Sequence, residues 1–551
     1  MFLKFIALSG TTSVTENLYV YETDNQMMVV DCGVGFPDLE MPGVDLVIPD
    51  FSYIVRNKKK LSGILISQAH EDHTGALPFL LHEVNVPIWA PPLVAEFLKD
   101  KFSDYNIKNF KINVFNPDYQ NFGISSFEIY PFRVTHSVPD TVGFAIDTPA
   151  GRIFHVPEHK MDQNPVDGKP FDIERAEKLA SEKPVLFLAS DCLGANKPGF
   201  TKGEREIETN MQKIMENARG AIFSTAISSN ISRFQQMISV AQKLKRKVVL
   251  VGRSIQKKIE IAYNMGYMIF PSDLIISSSQ ADKLPRNKLL YIVSGCYGQV
   301  GSSLYRISLG EHEKVKVQKG DTMVFSADPA PPYTKESEDF VIDNLIDRGV
   351  DVHYYDLNEE LDEGLYVSGH GSQGDIVELF NIVKPKYYIP IGGTIRFMHS
   401  YKKLAIKNGA LPENVFTLKP GESLIFEDGK VHFGDSVRVK AVLVHGLGVG
   451  DVGKVVLGDR VILGNEGIVV VVIKFRSGKV LDTPEIISRG FVFEKVRGDI
   501  LKEASRRLKR KYEKNLLKKS AIQNLTIDYL GKFFFQKTGR RPMILPVVVE
   551  V

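Results

Sequence analysis

The stretch Ser67-Gln68-Ala69-His70-Glu71-Asp72-His73-Thr74-Gly75 follows an apolar run, Leu61 to Ile66, that reads as a buried strand. Three potential metal ligands, His70, Asp72 and His73, fall within four residues just past the strand end. Imidazole and carboxylate together suit zinc or a similar divalent ion. An ion held there lowers the pKa of bound water and supplies a nucleophile for hydrolysis. Two histidines and an acid in a polar turn also make an ordinary solvated loop, so the reading depends on the rest of the chain. Gln68 occupies the place where a further histidine would complete a ligand cluster.

With 551 residues, the chain is too long for one ordinary core, and two to four domains are expected. A composition of 43% hydrophobic and 25% charged residues is that of a globular protein and argues against gross disorder. Lys+Arg minus Asp+Glu is 69 − 66 = +3, so any polyanion site must come from local clustering. Cys32, Cys192 and Cys296 are far apart and lack Cys-x-x-Cys spacing, which fits thiols in a reducing compartment and argues against a thiolate zinc site. The start, Met1 to Leu8, is too short for a signal peptide, and no apolar run approaches a membrane span. The expected location is the cytoplasm, with no membrane partner.

Along the first ~200 residues, short apolar strands alternate with turns and helices. Leu18 to Tyr21 and Met27 to Asp31 flank a short polar turn and read as an antiparallel hairpin, and Gly151 to Val156 and Val185 to Asp191 read as further strands. From about Glu204 to Arg348, helical stretches such as Ile231 to Leu244 alternate with strands at 247–252, 289–294 and 322–326, the rhythm of a parallel α/β domain. Leu365 to His370 and Lys386 to Gly393 then read as strands running into Gly-rich loops. After Gly429 the chain becomes Val-rich and β-leaning, with Gly467 to Ile473 nearly all β-branched. Leu501 to Ser520 holds nine Lys/Arg against two acids, with Leu501, Ala504, Leu508, Tyr512 and Leu516 at helical spacing. That pattern describes a docked helix with a solvated charged face, or else a nucleic-acid or partner contact. The tail Met543 to Val551 suits a β-ribbon at an interface.

Several further residues of chemical interest stand near strand ends: His136 in Val134-Thr135-His136-Ser137, Glu158 in Val156-Pro157-Glu158-His159, Asp191 after Ser190, and His370 in Ser368-Gly369-His370-Gly371-Ser372. Asp31-Cys32-Gly33-Val34-Gly35, Pro198-Gly199-Phe200-Thr201, Ser229-Asn230 with Arg233, and Gly252-Arg253-Ser254 complete an ordered set. This order of motifs resembles the metallo-β-lactamase superfamily with an inserted β-CASP domain, and within it the ribonuclease J family. Ile486 to Val492 and Arg540 to Pro546 resemble that family's C-terminal domain.

The resemblance implies a metallo-β-lactamase αββα sandwich interrupted by a β-CASP α/β domain, with a small C-terminal α/β domain. The implied division is 1–205 core, 206–350 insertion, 351–428 second part of the core, 429–447 linker and 448–551 C-terminal domain. It further implies two zinc ions and cleavage of RNA, both internally and 5′→3′ from monophosphorylated ends. RNA is the implied partner, with a homodimer, a homotetramer or pairing with a paralogous subunit as assembly. The implied ligands are His70, Asp72, His73, His136 and Glu158. Asp72, His370 and Asp191 are implied in catalysis, and Ser229, Asn230, Arg233, Ser368, Gly369, His370 and Ser372 in holding RNA phosphates.

Against the family pattern, Gln68 replaces a ligand histidine, Glu158 after Pro157 replaces a bridging aspartate after glycine, and Gly392 replaces the last ligand histidine. Ser232 replaces a histidine of the insertion. Each implied metal thus loses one protein ligand, and one or no ion becomes plausible. A rearranged site of His70, His136 and Glu158 with water is the alternative. His159 and His399 read as packing or surface residues, and Asp31 as a buried carboxylate orienting the ligand loop.

Overall fold

The structure, a computed structural model, describes residues 2–551 apart from 39, 329–333, 357–362, 447, 492–493 and 514–517, and the side chains of 494–498. The chain forms two compact units, one of residues 1–36 and 47–442, the other of 37–46 and 443–551.

Two sheets face each other in the first unit. An eight-stranded sheet runs, in spatial order, Lys430–Phe433, Ser423–Glu427, Phe2–Ser9, Leu18–Glu22, Met27–Val30, Leu61–Leu65, Ile88–Ala90 and Ile112–Val114. A six-stranded sheet runs Tyr387–Ile391, Val185–Asp191, Gly151–Val156, Val142–Thr148, Phe127–Arg133 and Phe122–Ile124. Phe5, Tyr19 and Tyr21 of the first meet Phe144, Phe187 and Ile389 of the second in a buried core. Helices Ile173–Glu182, Gln373–Val383 and Ile395–Lys407 cover the outer face of the six-stranded sheet through Leu179, Phe380 and Tyr401. Strand Leu61–Leu65 is largely buried because it is interior to its sheet, with Met27–Val30 and Ile88–Ala90 parallel on either side.

Between Val185–Asp191 and Tyr387–Ile391, which pair in parallel, the chain leaves to build a second, all-parallel sheet of five strands. Its order is Lys247–Val251, Leu289–Val293, Ile222–Thr225, Thr322–Phe325 and Asp351–His353, with connecting helices that include Ile231–Lys243. Parallel pairing requires long crossovers, which is why strands and helices alternate in this part of the sequence.

Three expectations are corrected. Leu365 to Ser368 forms no strand: the Leu365 carbonyl accepts from Arg233 and Ser326, and the Ser368 carbonyl from Lys160, so side chains replace a ladder. Lys430–Phe433, expected in a linker, pairs with Ser423–Glu427 as a hairpin and extends the eight-stranded sheet. The basic stretch is not one helix. Glu494–Tyr512 ends before Lys519–Thr538 begins, and Leu516 lies outside the described residues.

In the second unit, Ile468–Arg476 pairs antiparallel with Glu485–Arg489 and parallel with Met543–Glu550. Leu501, Ala504, Leu508 and Tyr512 pack on its buried face with Val469, Val471 and Ile473, so the basic helix is docked by its apolar stripe. Among the described residues, no helix is long and apolar enough to cross a membrane.

Candidate metal centre

Strand Leu61–Leu65 delivers Ser67 and Gln68 to the sheet edge, and His70 begins the short helix Glu71–Thr74. The turn is anchored from below. Asp31, fully buried, accepts from the Ser67 backbone N–H at 2.8 Å, the Ser67 hydroxyl at 2.7 Å and His73 Nδ1 at 2.7 Å. Gly33 passes so close to the Asp72 carbonyl that a Cβ would lie 1.5 Å from it, so only glycine permits this crossing.

Glu158 is the centre of the site. It is 3% exposed and follows strand Gly151–Val156. Its Oε1 lies 3.1 Å from His73 Nε2, and its Oε2 lies 3.0 Å from His136 Nε2. The Gln68 amide N–H also donates to Oε2. Both imidazoles are aimed by their other nitrogen: His73 Nδ1 bonds Asp31, and His136 Nδ1 lies 2.9 Å from the Gly369 carbonyl. A carboxylate or carbonyl behind the ring is the usual means of presenting Nε2 to a metal. A Cβ on Gly369 would sit 2.4 Å from the His136 ring, so that approach also requires glycine.

Two sets of three donors converge here, His70–His136–Glu158 and Asp72–His73–Glu158, each with ligand atoms within 4.8 Å of one another. His70 Nε2 is engaged by the Ser137 hydroxyl at 2.9 Å. Gln68 Oε1 is buried with no hydrogen-bond partner. Convergent imidazoles and carboxylates beside an orphaned acceptor fit a divalent cation. His70, His136 and Glu158 would hold one ion, and Asp72, His73 and Glu158 a second.

The electrostatics follow from the same packing. Burial disfavours a charged His73, yet Asp72, Glu158 and Asp31 raise its pKa well above the ordinary value. Burial would raise Glu158, but His73, His136 and His370 hold it well below the usual carboxylate range. Burial and neighbouring His136 push His70 well down, so it is neutral at pH 7. His370 opposes burial through Asp191 and Glu158, which raise it to about 9. Its Nδ1 bonds Asp191 Oδ2 at 2.7 Å, and its ring stands 5.3 Å from that of His136.

Gly392 ends strand Tyr387–Ile391 with φ of +66°, and a Cβ there would have ordinary room 3.6 Å from Asp191 Oδ1. The position therefore faces the Asp191 side of the site but presents no donor. His399 is exposed, and His159 is buried with both ring nitrogens unpartnered, packed on Phe171.

The residues expected to hold phosphate divide into two groups. Ser229 and Asn230 precede helix Ile231–Lys243, and Asn230 caps it by accepting from the Arg233 N–H at 2.9 Å. Ser372 caps helix Gln373–Val383 and exchanges a hydroxyl bond with Thr201. Ser368 Oγ accepts from the His370 N–H at 3.1 Å. Arg233 is 1% exposed, and its guanidinium is turned inward onto Glu204, Ser326, Gln236 and Leu365.

Three contributors escaped the sequence reading. Asn17 Nδ2 lies 3.2 Å from His73 Nε2, Ser137 holds His70, and Glu204 joins Lys160 to Arg233. Ser137 stands next to His136 and was accessible to inspection, whereas Asn17 and Glu204 come from distant turns that carry no local signal.

Known families match along the chain: a beta-lactamase superfamily domain over residues 28–172, the ribonuclease J beta-CASP domain over 219–345, and the ribonuclease J C-terminal domain over 455–551. Ribonuclease J 2 of Staphylococcus aureus (strain MRSA252) is 32% identical, over 100% of this chain and 98% of its own. Ribonuclease J 1 of Streptococcus pyogenes is 33% identical, over 98% and 97%. A crystal structure of a protein of unknown function from Enterococcus faecalis shares the fold at a TM-score of 0.53 and 14% identity, covering 77% of this chain and 100% of that one. With a beta-lactamase superfamily core, a beta-CASP domain and a ribonuclease J C-terminal domain in one chain, and full-length relatives of the same kind, this protein belongs to the ribonuclease J family.

Proposed function

We propose that the protein hydrolyses RNA phosphodiester bonds at a divalent-metal site centred on Glu158. The observation that carries this reading is the sharing of Glu158 by two three-donor sets, with His73 and His136 already aimed at it. Zinc is the ion that such imidazole and carboxylate donors favour. When bound, it supplies Lewis-acid neutralisation of the phosphate and activation of water. His70, His136 and Glu158 would hold one ion, and Asp72, His73 and Glu158 a second. His370, protonated at neutral pH and steadied by Asp191, holds a proton for a phosphate or leaving oxygen. Ser229, Asn230, Ser368, Gly369 and Ser372 contact RNA phosphates, while Arg233 supports them from behind. The assembly is a homodimer or homotetramer, or a hetero-oligomer with a ribonuclease J paralogue, in the cytoplasm. We divide the chain into a core of 1–205 and 351–433, which takes in the hairpin strand Lys430–Phe433, an insertion of 206–350 and a C-terminal domain of 448–551.

Measuring metal content together with cleavage of a 5′-monophosphorylated RNA tests this. Bound zinc, and cleavage abolished by His70→Ala, are expected. A protein that takes up no divalent ion and cuts no RNA overturns the enzyme reading. One observation favours a second reading, a weakly active RNA-binding subunit of an active paralogue: the Gln68 amide already occupies Glu158 Oε2, and Gly392 offers no donor. Under that reading the protein binds RNA without metal and stimulates an added ribonuclease J.

A further inference from the structure

We propose that Glu204 is a positioning residue that locks the loop carrying Glu158 to the phosphate-facing edge of the inserted domain. The inference rests on the RNA reading of the site given above. Glu204 is 2% exposed and stands immediately before helix Arg205–Glu216, where the chain passes from the core into the insertion. Its Oε1 bonds Lys160 Nζ at 2.8 Å, and its Oε2 bonds Arg233 at 2.8 Å. Its backbone is equally committed: the carbonyl accepts from Gln236 at 2.7 Å, and the N–H donates to Asp162 at 3.0 Å.

Each cation it holds belongs to a different half of the cleft. Lys160 lies two residues beyond Glu158, and its backbone N–H bonds Thr135 O at 3.0 Å, beside His136. Its ammonium also reaches Ser368 O at 3.1 Å, two residues before His370. Arg233 lies in the first turn of the helix capped by Asn230 and bonds Ser326 at the end of strand Thr322–Phe325. It also bonds the Leu365 carbonyl, on the segment returning from the insertion to the core. One carboxylate therefore ties the outgoing crossing, the returning crossing, the Glu158 loop and the Ser229–Asn230 loop together. Both partners are buried, so removing the carboxylate would strand their charges. Loops joined through one such carboxylate share one register, which a two-sided phosphate site needs.

The test compares wild type with Glu204→Gln, which keeps shape and removes charge, and Glu204→Asp, which keeps charge and shortens reach. Hydrogen exchange is followed at residues 158–162 and 229–236, and affinity is measured for one RNA oligonucleotide carrying a 5′-monophosphate or a 5′-hydroxyl. Glu204→Gln is expected to raise exchange in both segments together. It is expected to weaken binding of the 5′-monophosphorylated strand about tenfold, the scale of lost supporting contacts, and to leave the 5′-hydroxyl strand unchanged. Glu204→Asp is expected to restore part of both effects. Exchange rising in only one segment, or equal weakening for both strands, overturns the proposal. If Glu204→Gln does not fold, Glu204→Asp is read by the same two criteria. If the wild type does not distinguish the two strands, the RNA reading of the phosphate loops fails, and the exchange data alone decide the role of Glu204.

Discussion

Two buried carboxylates, Glu158 and Glu204, are built alike and behave differently. Each is nearly inaccessible, and each is held between two nitrogen donors, His73 and His136 for the first, Lys160 and Arg233 for the second. Around Glu204 the donors are an ammonium and a guanidinium whose further bonds go to carbonyls and hydroxyls. Around Glu158 they are imidazoles that can give up a proton, and the neighbouring Gln68 Oε1 has no partner. A carboxylate closed in between a lysine and an arginine is structural, because removing it strands their charges. One between titratable rings beside an orphaned acceptor can exchange protons for a metal ion.

Four experiments break or sharpen that contrast. The largest effect is expected on stability: Glu204→Ala leaves two buried cations unpaired and should cost about 3–5 kcal/mol, read as a fall in the chemical-denaturation midpoint. If the loss is negligible, the structural assignment of Glu204 fails. Next is a buried imidazole outside both clusters, His155, whose Nδ1 bonds the Tyr21 hydroxyl at 2.8 Å and whose pKa burial lowers to about 4. Below its ordinary value the unfolded chain binds a proton that the fold refuses. Stability should therefore fall as pH drops from about 6.5 to about 4, by up to about 3 kcal/mol. His155→Phe should flatten that slope in thermal unfolding between those limits.

Glu158→Gln keeps the shape of the cluster and removes its shared charge. It should cut metal-dependent cleavage by about 100-fold or more, with little change in RNA affinity, and unchanged cleavage would refute a central role for Glu158. The smallest effect is expected from Gln68→His, which removes the amide donated to Glu158 and adds a donor. Divalent-ion affinity should rise about tenfold by titration calorimetry. Adding Gly392→His should help less than the ligand count implies, because the backbone there is left-handed and a side chain costs about 1–2 kcal/mol.

Much of this architecture was legible in the chain. The hairpin at 18–30, the parallel rhythm of the insertion and the apolar stripe from Leu501 to Tyr512 all express local periodicity, and the structure carries each. Leu365 to Ser368 misled because extended, apolar sequence looks the same whether its carbonyls bond a strand or buried side chains. Arg233 misled in another way. Its motif pointed to phosphate, whereas its guanidinium points inward to Glu204.

The sequence by itself determined which chemistry was available: the residues His70, Asp72, His73, His136 and Glu158, the substitutions at Gln68 and Gly392, and the family order that joins them. These are matters of residue type and spacing, which a chain states directly. Only the tertiary structure decided how that chemistry is arranged. It made Glu158 the shared centre, turned the Gln68 amide onto it, brought Asn17 against His73 from another turn, and joined Lys160 to Arg233 through Glu204. The reason is physical: hydrogen bonds and ion pairs between residues tens to hundreds of positions apart depend on where sheets and crossings bring them, and no local pattern encodes that meeting.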